Sequence, residues 1–86
     1  MAADPEHDDL ISISAPMAAT VAAVRVADGD HVLRGATVMV LEVMKMEHLI
    51  TAPVSGRIRC TVGVGDTVVE HQSLASIEPG IAAGGT

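Results

Sequence analysis

The chain repeats itself once. Ile13-Ser14-Ala15-Pro16 returns as Ile50-Thr51-Ala52-Pro53 at an offset of 37, and Val21 falls on Ile58. After a one-residue slip the offset is 36: Val26, Gly29, Asp30 and Val32 fall on Val62, Gly65, Asp66 and Val68, and Leu41-Glu42 falls on Ile77-Glu78. Two copies mean a duplicated fold with a pseudo-two-fold axis, not a solenoid, which needs three or more units to bury its apolar faces. One copy cannot enclose a core, so the two must pack on each other as a flattened barrel or sandwich. A chain of 86 residues leaves no room for separate catalytic and substrate domains.

Within each copy, Val, Ile and Thr dominate, apolar and polar residues alternate, and Gly, Asp and Pro punctuate the runs. No window carries a 3.6-residue apolar stripe long enough for a stable helix. The pattern predicts an all-β fold of two four-stranded antiparallel sheets. Its strands fall at about 10 to 14, 20 to 26, 31 to 34 and 38 to 43, then at 48 to 52, 57 to 62, 67 to 69 and 74 to 78. Gly29-Asp30 and Gly65-Asp66 mark equivalent turns. With no Phe, Tyr or Trp, the core must come from Val, Ile, Leu, Met and Ala, which favours a regular body with economical loops. Residues 1–9 are acidic and polar and residues 80–86 are small and Gly-rich; both read as flexible ends around a domain at 10–79.

The net charge is −6, with 11 acidic against 5 basic residues. Four of the acids, Asp4, Glu6, Asp8 and Asp9, precede the domain. Few cations and no aromatic platform point away from nucleic acid and from an anionic membrane surface. The lone Cys60 cannot form an internal disulfide; it aligns with Ala23 or Val24 and reads as a small buried hydrophobe. Acidic residues stand where a signal peptide needs positive charge, so the expected compartment is the cytoplasm, or an organellar matrix if a targeting segment has been removed. His7, His31, His48 and His71 are too dispersed for a metal site.

The join between the copies is the one connection without a symmetry mate, and it centres near residue 46. There stands Glu42-Val43-Met44-Lys45-Met46-Glu47-His48, with the only lysine of the chain near its apex. A lone turn lysine is ordinarily a solvated cation, and methionines two apart on a strand ordinarily face a core. An exposed Met-Lys-Met tip has no such packing reason. The short gap predicts a tight hairpin, yet the Gly or Asn such a turn prefers is missing. Side-chain identity there answers to something other than turn energetics. Nothing supplies the burial or neighbouring cation that makes a lysine a Schiff-base or general-base residue, so Lys45 suits being modified better than catalysing. No phosphate-binding loop and no nucleophile with a paired base is present either.

These residues carry a resemblance to the biotinyl domain, or biotin carboxyl carrier, of biotin-dependent acyl-CoA carboxylases, within the biotinyl/lipoyl-attachment family. It spans about residues 11–79 through Ala15-Pro16-Met17, Asp28-Gly29-Asp30, Leu41 to Glu47, Ala52-Pro53-Val54-Ser55-Gly56 and Val64-Gly65-Asp66. The resemblance implies that a biotin protein ligase joins biotin to the ε-amine of Lys45, using ATP through biotinyl-adenylate. It implies that a biotin carboxylase then loads a carboxyl group for delivery to a carboxyltransferase. Met44 and Met46 are then flanking recognition residues, and Glu42 and Glu47 hairpin residues that the ligase reads. No residue is catalytic, and the isolated domain is expected to be monomeric.

The chain departs from the family pattern at Ala19, where Gly is frequent, a change expected to strain or reshape the first turn, and at Val43, where Ala is frequent. Two other readings compete. A lipoyl carrier of a 2-oxoacid dehydrogenase-like complex shares the fold, but its lysine is typically flanked by Asp and Ala and not by methionines. An unmodified barrel of an adaptor protein would separate its halves with a long helical hairpin. Met46-Glu47-His48 resembles the carriers of 3-methylcrotonoyl-CoA and related carboxylases.

Overall fold

A computed structural model describes residues 10–79; the segments 1–9 and 80–86, expected as flexible ends, lie outside the described residues. Eight strands follow one another: β1 (Ile11–Ser14), β2 (Ala19–Val24), β3 (His31–Val32), β4 (Thr37–Val43), β5 (Met46–Thr51), β6 (Gly56–Cys60), β7 (Thr67–Val68) and β8 (Ser73–Pro79). Every expected strand is present, and the described residues contain no helix.

The strand ends differ from the sequence expectation for local reasons. β3 and β7 are only two residues long because Leu33–Ala36 and Val69–Gln72 close into turns, with Ala36 N–H donating to Leu33 C=O at 2.9 Å and Gln72 N–H to Val69 C=O at 3.0 Å. β2 and β6 stop short of Val26 and Val62, which leave the ladder but still pack on the core, so the apolar alternation outlasts the strand. β5 begins at Met46, two residues earlier than expected, because only two residues close the hairpin before it.

The two sheets have the orders β1-β8-β6-β3 and β5-β4-β2-β7, and all pairings are antiparallel. Replacing each strand by its repeat mate, β1 with β5 through β4 with β8, turns one order into the other. Neither sheet therefore belongs to one half. Each takes two strands from each copy, so the halves are interlocked rather than stacked. The turns tie them further: Gly29 N–H donates to Ile58 C=O and Gly65 N–H to Val21 C=O, both at 2.8 Å. Asp30 and Asp66 hold those turns, their Oδ2 atoms each accepting at 2.9 Å from Ala27 N–H and Gly63 N–H. Gly29 and Gly65 both sit at φ 91, where a Cβ is disfavoured.

The core lies between the sheets, with Val21, Val38, Met39, Leu41, Ile58, Val68, Leu74 and Ile77 fully enclosed. Bulges shape it. On β4, Val38 is the extra residue between Thr37 and Met39, and on β8 Leu74 occupies the matching place, so both strands send two consecutive side chains inward. On β2, Ala22 is extra between Val21 and Ala23, whereas β6 runs against β8 without interruption. That unmatched bulge is the physical source of the slip from offset 37 to 36. It also settles that Cys60 matches Val24.

Gly56 is required by close approach. A Cβ there would overlap the Glu78 carbonyl oxygen and come within 2.8 Å of Ile77 Cγ2, because β6 lies directly between β3 and β8 at this point. Its repeat mate, Ala19, was expected to strain or reshape its turn. It does neither: Ala19 is absent from the positive-φ residues, opens β2 opposite Val68 and is buried. Gly56→Ala should therefore cost about 2 to 3 kcal/mol in urea unfolding; a loss under about 0.5 kcal/mol would show that β8 yields freely.

Candidate functional site

β4 and β5 form the longest ladder of the fold, running from Thr37↔Thr51 to Val43↔Met46. Leu41 and Ile50 root it in the core, and Val43 packs there one residue before the turn. Met44 and Lys45 alone close the hairpin, at φ 51 and 72. Positive φ at both central positions is the signature of the type I′ turn, whose hand suits the twist of a two-stranded ribbon. For residues with a Cβ it costs about 1 kcal/mol or more each. The expected tight hairpin is present, and the missing Gly or Asn is a real strain held in place by the ladder below it.

Met44 is 89% and Met46 64% exposed, and Lys45 is exposed between them. Met46 shares the strand face of Ile50 but lies past the end of the core, which is why a strand methionine ends in solvent. Glu42 and Glu47 are direct cross-strand partners on the outer face of the sheet. Like charges so placed oppose the pairing. No ion pair relieves them among the described residues, where the one such contact joins His71 Nε2 and Glu70 Oε2 at 3.7 Å. Strain, exposed apolar surface and like charge thus gather on one turn, whose repeat equivalents, the ends of β8 and β1, are not joined by a turn at all. Spacing gave away the tip but not its handedness or the facing carboxylates; both follow once β5 is seen to start at Met46.

The remaining polar residues form no second centre. His31 and His71 are exposed and His48 is half-buried, each on a different element; His7 lies outside the described residues. No group of three or more His, Cys, Asp or Glu able to hold a metal occurs among the described residues. Cys60 is only half-buried, against the expectation of a buried residue, because it lies at the end of β6 where the core thins. Burial, and then the carboxylates of Asp28 and Asp30, push its thiol pKa up, while Asp28 Oδ1 accepts its N–H at 2.7 Å. A thiol so placed stays protonated and unreactive near neutrality.

Placing Asn-Gly at 44 and 45 tests the strain. The Met44→Asn, Lys45→Gly variant should gain about 1 to 2 kcal/mol and melt roughly 5 to 10 °C higher. An unchanged or lower melting temperature would show that the turn is not strained.

Residues 11–77 match the sequence profile of a family described as biotin-requiring enzymes. The chain is 37% identical over 68 residues to the biotin carboxyl carrier protein of acetyl-CoA carboxylase from Solanum lycopersicum, covering 78% of this chain and 97% of that sequence. It is 41% identical over 68 residues to the biotin-dependent acyl-coenzyme A carboxylase alpha3 subunit of Mycobacterium leprae, covering 78% of this chain but 11% of that one. Among solved structures, a single-chain, multi-domain long-chain acyl-CoA carboxylase superposes with a TM-score of 0.74 at 28% identity, over 93% of this chain and 8% of that one. The chain thus spans about a tenth or less of the large carboxylase subunits it matches. An interlocked eight-stranded barrel with one lysine at the apex of its joining hairpin, matched over nearly all its described length, belongs to the biotin-requiring enzyme family as a biotinyl domain.

Proposed function

We propose that Lys45 is the biotin attachment site, and that the domain serves as the carboxyl carrier between a biotin carboxylase and a carboxyltransferase. The observation that carries this is the lone lysine of the chain, exposed at the apex of the two-residue hairpin joining the two copies. Its surroundings fit a tether. The side chain is exposed, and no ion pair holds it among the described residues. An amide bond forms between Nζ and the carboxyl carbon of biotin; AMP leaves the activated acyl group, and the amine proton passes to the ligase. When bound, biotin supplies a ureido nitrogen that takes up and gives up a carboxyl group.

The chain's own residues do the presenting. The β4–β5 ladder fixes the position and direction of the Lys45 Cα, so that movement is confined to the side chain, its cargo and the domain as a whole. Met44 and Met46 offer flexible apolar contacts beside the amine, and Glu42 and Glu47 place two carboxylates where a ligase with basic residues would read them. No residue here performs chemistry on the carboxyl group. The acceptor we propose is an acyl-CoA of the 3-methylcrotonoyl type, on the strength of Met46-Glu47-His48, in a cytoplasmic or organellar carboxylase.

Treatment with biotin protein ligase, ATP and biotin should add one biotinyl group by intact mass and make the chain bind avidin. Lys45→Arg should abolish both while leaving the melting temperature within about 2 °C. A lipoyl increment on Lys45 in cells holding both ligases, or a large loss of stability in Lys45→Arg, would contradict the assignment.

A further inference from the structure

The duplication supplies an internal control for the outer surface. Interior positions match between the sheets because both line one core; outer positions need not. On the outer face of β5-β4-β2, Leu49, Val40 and Ala23 stand in one cross-strand row. Their repeat mates on the other sheet are Ser12, Ser76 and Arg59, again one row. The same scaffold positions are therefore apolar on one face and polar on the other. Val40 makes the contrast sharper. It is only 3% exposed yet lies outside the core cluster, since Met39 and Leu41 on either side point inward. Its neighbours cover it, and Leu49, 62% exposed, remains as the prominent apolar side chain of the row.

This row does not stand alone. One step along the strands towards the hairpin, the same face carries Glu42 and Glu47. One step away from it, Arg25 and Thr37 line a shallow depression with Leu49. The face is thus continuous with the Lys45 turn. It shows an apolar centre and two carboxylates that have no ion pair among the described residues.

We infer that the outer face centred on Leu49 is the surface on which the biotin-attaching ligase seats the domain, through an apolar patch flanked by cations that face Glu42 and Glu47. The inference rests on the biotin assignment of Lys45. The ligase is the partner favoured by reach. A lysine side chain extends only about 6 Å from its Cα, so the enzyme that acts on Nζ itself must close around the hairpin and meet the sheet beside it. Enzymes that act on the far end of the attached group work at the end of a longer arm. The strained turn fixes which face accompanies the amine, because the type I′ ribbon holds Lys45 in one orientation over the sheet.

Leu49→Ser, which installs the residue already tolerated at the mirrored position, tests this with biotin protein ligase, ATP and biotin. The KM for the domain should rise about tenfold with kcat little changed, as expected when a partly exposed apolar contact made equally in ground and transition states is removed. Melting should be unaffected, and Ser12→Leu on the opposite face should leave KM alone. Wild-type labelling with an unaltered KM for Leu49→Ser, or an equal effect from Ser12→Leu, would overturn the docking face while leaving Lys45 as the acceptor. If the wild-type chain takes no biotin, the parent assignment fails and this inference with it. Loss of self-association in Leu49→Ser, with ligation unchanged, would assign the face to a second copy of the chain and overturn the proposal.

Discussion

The reciprocal exchange of strands between the two copies is the constraint on which everything else depends. Because β8 and β6 complete the sheet begun by β1 and β3, and β4 and β2 that of β5 and β7, neither copy has a finished sheet without the other. Gly29 and Gly65 bind across the same boundary. A chain with no aromatic residue gains its enclosed core from this arrangement, which brings aliphatic side chains from both copies between two layers. It also limits flexibility: separating the halves would break both sheets at once.

That body carries a hairpin that is locally unfavourable. Two positive-φ residues with side chains, two facing carboxylates and two exposed methionines would all weaken an isolated ribbon. The ladder from Thr37 to Val43, rooted by Leu41 and Ile50, holds it. Local rules broken together at one place, at the join that has no repeat equivalent, are the kind of departure expected at functional positions. His71 shows the contrast. It too has positive φ, at 74, but its repeat mate Gly35 has the same backbone at φ 89, so that strain belongs to the scaffold.

Much of this was legible in the residues. Repetition gave the eight strands, the pseudo-two-fold and the special status of the join, because apolar alternation and Gly-Asp turns are local signals. The one-residue slip was visible too, but only the pairing of β2 with β4 turned it into a bulge at Ala22. Interlocking was not legible, since two copies that stack and two that trade strands have the same periodicity. The facing of Glu42 and Glu47 was missed with the early start of β5, where Met46 continues the strand beyond the core. Val38 would face outward in a plain alternation with Met39, Leu41 and Val43; the bulge there turns it inward beside Met39, while Val40 keeps the outward direction that alternation gives it. The half-buried state of Cys60 depended likewise on where β6 ends.

Lys45 sits on a strained turn at the apex of a hairpin that the β4–β5 ladder holds rigid. Solution NMR of the unmodified chain measures this directly, through the φ-dependent couplings and relaxation of the Met44 and Lys45 backbone. Positive φ at both residues is expected, with order parameters near those of ordered backbone, about 0.85. Negative φ at either residue, or order parameters below about 0.6, would show a flexible tip and refute a rigid, strained turn.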